Sequence, residues 1–309
     1  MKTETSPRIG TTLSQSKKRA RKETLAGYIF VGPMMLGLIV LTIIPSLITF
    51  VLSFTEWSFI ADFNKMKFVG LQNYSRLLDD TLFLKSFRNN LFLLLVVPVQ
   101  LIVSLVIAVI IDKYVYLKGM FKVVFFMPYI SSIVAVAIVF QLLFHPSFGP
   151  INQTLRAMGV DNPPKWLADL HYALPSVMLI LVWVGIGFSL VVYLAALQAI
   201  PKDLYESADI DGAKTTTKFW KITLPLVSPT TFFLLVTGLI ASFKSFDIIK
   251  VLTSGGPSYS TSVVTYYLYT TAFENLKTGY ASSIALFLFG CVMLITVIQL
   301  YGQKKWVNY

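Results

Sequence analysis

Lys244 and Asp247, set among Ser242, Phe243, Ser245 and Phe246, bring charge, hydroxyl and aromatic groups together at the edge of a long apolar stretch. Polar and ionisable groups at membrane depth are costly, so such a cluster is a candidate for handling a solute. On a continuous helix Lys244 and Asp247, three residues apart, would lie one above the other. The plainer alternative is an ion pair that snorkels to the water at the end of a span. Gly255 and Gly256, followed by Pro257, make a turn that suits broken helix geometry beside a cavity. Gln100, Gln141, Asn152, Trp183, Ser189 and Tyr193 are weaker candidates, each better accounted for singly by packing or interface anchoring.

A second dense patch is YESADIDGAKTTTKFWKITLPLVSP, residues 205–229, lying between two apolar stretches. Pro201 ends the preceding helix, and a short amphipathic helix follows through Ile210. Gly212 can take the left-handed conformation that closes a helix. A second short helix is expected over 213–222, carrying Phe219, Trp220 and Ile222, before Pro225 and Pro229 open the next span. Exposed Phe219 and Trp220 would need a partner or a lipid interface.

Other chemistries lack their residues. The two histidines, His145 and His171, lie in one loop, and the single cysteine, Cys291, lies in an apolar run. No disulfide framework or cysteine-based metal site is possible, and no catalytic or metal-ligating residue is assigned. The nearest string to a phosphate-binding loop, 238–245, has Phe243 where the second glycine must stand, so its backbone cannot cradle phosphates.

These side chains sit in an apolar frame. Of 309 residues, 55% are hydrophobic and 13% charged, against about a quarter charged in a soluble domain. The composition indicates an all-α protein that crosses the membrane several times. Six stretches approach the roughly 20 apolar residues of a span: 26–54, 90–111, 123–144, 174–199, 224–243 and 281–300. Pro45 and Pro98 lie inside two of them and should kink or loosen those helices. The basic tail, 1–24, is expected to be disordered, and 25–309 to form one membrane domain. Its Lys2, Arg8, Lys17, Lys18, Arg19, Arg21 and Lys22 supply most of the bias that places both termini, and the 201–225 loop, in the cytoplasm. The net charge of +11 is thereby explained by loops, and no nucleic-acid partner is expected.

Glu206-x-Ala208-x-x-Asp211-Gly212-Ala213, followed by Phe219, Ile222, Leu224-Pro225 and Pro229, resembles the EAA loop of the permease subunits of binding-protein-dependent ABC importers. Ser207 replaces the first alanine of that pattern. The stretches 22–57, 68–78 and 243–261, and the ending KKWVNY, resemble the sugar-type permeases, of the maltose and glycerol-phosphate kind, that come first of each pair. The resemblance implies a type I importer permease core of six spans with a cytoplasmic coupling helix in a bacterial cell membrane. It implies that Tyr205, Glu206, Ser207, Ala208, Asp211, Gly212, Ala213 and Phe219 engage an ATPase. It places Ser242, Phe243, Lys244, Ser245, Phe246, Asp247, Gly255 and Gly256 along the substrate pathway, where aromatic faces and hydrogen-bonding groups suit a sugar or oligosaccharide. The implied partners are a second permease, two copies of an ATPase that bind the ATP and magnesium, and an extracytoplasmic solute-binding protein; this chain carries no cofactor of its own. A glycerol-phosphate or polyol substrate is the alternative within the family. A self-sufficient secondary carrier is the alternative outside it, disfavoured because the spans hold almost no mid-depth ionisable residues.

Overall fold

The computed structural model describes residues 9–306, with side chains described over 23–303. The chain divides into two compact units, Met1–Leu52 and Ser53–Tyr309. In the first, α1 (Ile9–Leu38) passes through a π-helical turn (Ile39–Ile43) into α2 (Ile44–Leu52), and Glu23–Leu52 is one apolar span of 30 residues. Residues 1–8 of the expected tail lie outside the described residues, and the helix already begins at Ile9 within it. Lys, Arg, Gln and Ala in 15–22 are good helix formers. The π turn falls where Pro45 was expected to disturb the span. Pro45 cannot donate to the carbonyl four residues back, and Ile44 N–H bonds the Ile39 carbonyl five back instead.

The second unit opens with the antiparallel pair β1 (Thr55–Glu56) and β2 (Lys67–Phe68), in register Thr55 to Phe68. Helices α3 (Gln72–Asp79), α4 (Thr81–Leu93) and α5 (Val96–Tyr114) follow. Pro98, which has no N–H for the Leu94 carbonyl, accounts for the break between α4 and α5. Next come α6 (Lys118–Ile130), α7 (Ile133–Leu143), α8 (Pro150–Ala157) and the unbroken α9 (Ala173–Gln198). Then follow α10 (Lys202–Ile210), α11 (Thr215–Lys218), α12 (Leu224–Leu226) and α13 (Ser228–Phe243). The chain closes with α14 (Phe246–Leu252), α15 (Val264–Tyr269) and α16 (Thr278–Trp306).

Among the described residues four helices are long and apolar enough to cross a membrane, and the count reaches six when two bent pairs each serve as one span. The third and fifth expected spans are those pairs. α6 and α7 meet at 94° across Ser131-Ser132, where both residues leave the helical region and the Ser131 hydroxyl bonds the Met127 carbonyl. The helix entering α12 and α13 meet at 61°, where Pro229 cannot donate to Pro225.

Small residues set the helix contacts, as is usual where lipid supplies no hydrophobic drive. A Cβ on Gly187 of α9 would stand 2.3 Å from the Phe125 carbonyl oxygen of α6, and one on Gly238 of α13 would stand 2.7 Å from Val97 of α5. Buried Val97, Leu101, Leu105, Leu190, Leu194 and Leu234 form the core between these helices. A second core joins α7, α9 and α14 through Ala137, Val177, Ile180 and Ile249.

Asp80 holds the N-terminal end of α4. One carboxylate oxygen accepts the Leu82 and Phe83 amides at 3.0 and 3.1 Å; the other accepts the Tyr267 and Tyr280 hydroxyls at 2.6 and 2.7 Å. Burial alone would raise its pKa, but these four donors together hold it below the ordinary aspartate value. Burial, and then the same contact, push the Tyr267 phenol up. Because the folded value is lowered, the stabilisation is complete at neutral pH and disappears as pH falls from 3.8 through the folded value. Asp80→Ala removes a helix cap and leaves two tyrosine hydroxyls unpaired, a cost of roughly 2–4 kcal/mol. Thermal unfolding of the purified chain should show that loss at pH 7, with the gap to the natural protein closing in strong acid. An unchanged midpoint at pH 7 would refute it.

Candidate functional site

The loop between α9 and α13 closes its first helix with a Schellman motif. Gly212 takes φ +69°, the Gly212 amide bonds the Asp209 carbonyl at 3.0 Å, and the Ala213 amide bonds the Ala208 carbonyl at 2.9 Å. Ala208 and Ala213 therefore occupy the two positions whose side chains meet in that motif, and Gly212 the position that needs left-handed backbone. The reversal turns the chain into α11, then through a π turn (Phe219–Thr223) into α12. The second helix is thus displaced from the expected 213–222, because Gly212–Lys214 are used in the reversal.

Two faces result. Tyr205 and Phe219 pack against the core that holds Leu197, Ile200 and Val227, and Tyr205 Oη lies 2.9 Å from Thr223 Oγ1. Phe219, expected to be exposed, is half-buried; Trp220, stacked edge-on to it, is exposed. Lys218 pairs with Asp209 across the reversal. Leu204, Glu206, Ser207, Ile210 and Asp211 are exposed or half-exposed, with Ile210 at 88%. The reversal thus displays Ile210 and Trp220 among exposed polar side chains, an apolar display that is uncommon on a free surface.

The second cluster divides. α13 stops at Phe243 and α14 starts at Phe246, so Lys244 and Asp247 do not share a helix, and among the described residues they make no ion pair. The stacked-pair expectation fails because Lys244 and Ser245 cap the break. Lys244 N–H bonds the Ala241 carbonyl, and Ser245 Oγ bonds the Ser242 carbonyl at 2.8 Å. Lys244 and Asp247 are both exposed. Phe243 is buried, and Phe246 joins Tyr266 and Tyr269.

Ser242 and Ser245 face a cavity of about 260 Å³ between α5, α6, α9 and α13, shared with Gln100, Ser189, Tyr129 and Thr237. Gln100 Nε2 donates to the Gly185 carbonyl at 2.9 Å and to Ser189 Oγ at 2.8 Å. The structure thus brings two of the weaker candidates, Gln100 and Ser189, beside Ser242 and Ser245. It places the others elsewhere. Gly255 and Gly256 lie in the loop after α14, where a Cβ on Gly255 (φ +77°) would meet the Tyr266 ring at 2.6 Å; Gly256 lines a different cavity with Gln141 and His145. Gln141 donates to the Val251 and Leu252 carbonyls, Asn152 ties Pro146, Pro164 and Trp166 together, Trp183 packs on Phe140, and Tyr193 bonds Thr231. Among the described residues no group of acids, histidines and cysteine could hold a metal ion.

Sequence reasoning passed over Asp80 and the Asn89-Asn90 pair. Asn89 donates to the Ser262 carbonyl at 2.8 Å, and Asn90 accepts the Val264 amide at 2.7 Å, which anchors the loop after α14. The signal was two adjacent amides at the start of an apolar run.

Residues 94–307 match the family described as binding-protein-dependent transport system inner membrane component. The chain is 33% identical to the probable ABC transporter permease protein YesP of Bacillus subtilis over 97% of both chains. It is 35% identical to the sn-glycerol-3-phosphate transport system permease protein UgpA of Agrobacterium fabrum, over 78% of this chain and 83% of that one. It is 30% identical to the arabinooligosaccharides transport system permease protein AraP of Halalkalibacterium halodurans, over 89% and 86%. In fold it resembles a chain of the bacterial alginate ABC transporter solved with a pentasaccharide-bound periplasmic protein, with TM-score 0.82, 24% identity and coverage of 93% and 96%.

The space around Gly212 is empty, with nothing within 4 Å of the point a Cβ would occupy, so a substitution there meets conformational strain alone. Gly212→Val should cost about 1–2 kcal/mol and speed hydrogen exchange of the 212 and 213 amides roughly tenfold; Gly212→Asn, which tolerates this backbone, should not. Equal exchange in all three proteins would refute the motif.

Proposed function

The chain belongs to the family of binding-protein-dependent transport system inner membrane components, and we propose that it is the permease subunit through which an ATP-driven importer passes a sugar or oligosaccharide. The observation that carries this reading is the α10–α12 reversal, a rigid element with an unpartnered outer face joined to the ends of two spans. Tyr205 and Phe219 connect that element to the bundle core. A cytoplasmic ATPase seated on Ile210, Asp211 and Trp220 could pull on the reversal and so on α9 and α13 together. Both termini then lie in the cytoplasm. A second permease of the same family completes the pore, two ATPase subunits bind the ATP and magnesium, and a binding protein delivers the solute outside. ATP binding acts as a difference in affinity between two conformations, which exposes the pathway first to one side and then to the other.

The cavity beside Ser242 and Ser245 offers the solute hydroxyl and amide groups against an aromatic wall, which suits a polyhydroxylated molecule. The alternative of an anionic solute, such as a glycerol phosphate, draws on one observation: Lys244 stands at this break with no ion-pair partner among the described residues. Lys244→Ala separates the two. It should lower uptake of an anionic solute tenfold or more and leave a neutral sugar within about twofold, since a charge-assisted hydrogen bond contributes roughly 1.5–3 kcal/mol. If uptake of every solute is unchanged, Lys244 lies off the pathway.

Gentle detergent extraction from native membranes, with the co-purifying chains identified by mass, tests the assembly. Recovery of an ATPase, a second six-span permease and an anchored binding protein is expected. Gly212→Val should recover the permease pair yet abolish uptake. A chain that purifies alone and transports without ATP would replace the importer reading with that of a secondary carrier.

A further inference from the structure

A cavity of about 410 Å³ opens where α5 meets α6 and α9 meets α10, at the root of the reversal. Its polar lining is Asp112, Lys113, Lys118, Gln198, Lys202 and Tyr205. Three lysines thus face one carboxylate, and Lys118 already covers that carboxylate, bonding both the Asp112 carbonyl and its side chain. Lys113 and Lys202 are exposed, and among the described residues neither pairs with an acid. Asp203, next to Lys202, does not line the cavity. Net positive charge converging on a concavity calls for an anion of more than one oxygen.

The surroundings indicate how that anion is carried. The connection between α5 and α6 displays Tyr114, Tyr116 and Leu117 at 72%, 102% and 61% exposure. Tyrosine and leucine displayed beside lysines at the end of a span are what the boundary between acyl chains and headgroups attracts. Basic pockets between helices on the cytoplasmic side are suited to anionic headgroups. We propose that this cavity holds the phosphate of an anionic phospholipid, gripped by Lys113, Lys118 and Lys202. The proposal rests on the membrane placement of the family and on the proposed cytoplasmic placement of the reversal, and on no assumption about the transported solute. It also has a consequence for the reversal. Lys113 Nζ lies 5.3 Å from the centre of the Tyr205 ring, and Tyr205 joins α10 to Thr223. A phosphate drawn to Lys113 therefore acts one contact away from the joint between the reversal and the bundle.

Native mass spectrometry of the full chain in detergent, titrated with phosphatidylglycerol, phosphatidylcholine or inorganic phosphate, tests this. Phosphatidylglycerol should be retained in preference to phosphatidylcholine. The triple variant K113Q/K118Q/K202Q should weaken that retention by on the order of a hundredfold, at about one factor of five per lysine, and the triple arginine variant should keep it. Retention that is equal in the natural protein and the glutamine variant would overturn the proposal. So would displacement by millimolar phosphate with no preference between the two lipids, which would give the cavity to a free anion.

Discussion

Hydrocarbon offers no hydrogen bonds, so each departure from regular helix inside a membrane must find its partners within the protein. That requirement accounts for several polar residues in the apolar part of this chain. Ser131 returns a bond to Met127 at the sharpest bend. Gln141 satisfies two carbonyls at the end of α14, and Asn90 receives an amide at the start of α15. Gln100 fixes α5 to α9 through the Gly185 carbonyl. Lys244 and Asp247, exposed at the break after α13, form no ion pair among the described residues.

The reversal between α9 and α13 is held by different means. Its geometry comes from backbone conformation at Gly212 together with the packing of Tyr205 and Phe219. One left-handed residue sets the direction, two alanines allow the chain to close, and Tyr205 and Phe219 bind the inner face to the bundle. The outer face is then left with Ile210, Asp211 and Trp220. The element is thus anchored on its inner side and exposed on its outer side.

The sequence made the spans legible because length and hydropathy decide them, and it made the reversal legible because glycine, alanine and proline carry specific backbone demands. It concealed the bends. A run such as 123–144 reads as one span because its apolar character is unbroken across Ser131 and Ser132, and two serines give no warning of a 94° turn. It also misled over Lys244 and Asp247. Their spacing of three fits a helix, but spacing has meaning only where the helix continues, and α13 ends between Phe243 and Lys244. Gln100 and Ser189 gained their place beside Ser242 from packing alone, since no local pattern ties three separate helices to one cavity. Asp80 was hidden for the same reason: its partners Tyr267 and Tyr280 lie far along the chain.

The π turns before Pro45 and Pro225 have a geometric effect on the helices they lead into. An α-helix advances by about 100° per residue, and one residue added to a turn carries every later side chain round by about that angle. The turn at Phe219–Thr223 therefore sets the facing of α12 out of phase with that of α11. Phe219 can look inward while the residues leading into α13 keep their own apolar side toward the bundle. The helix thus changes its facing directly beside the exposed Trp220.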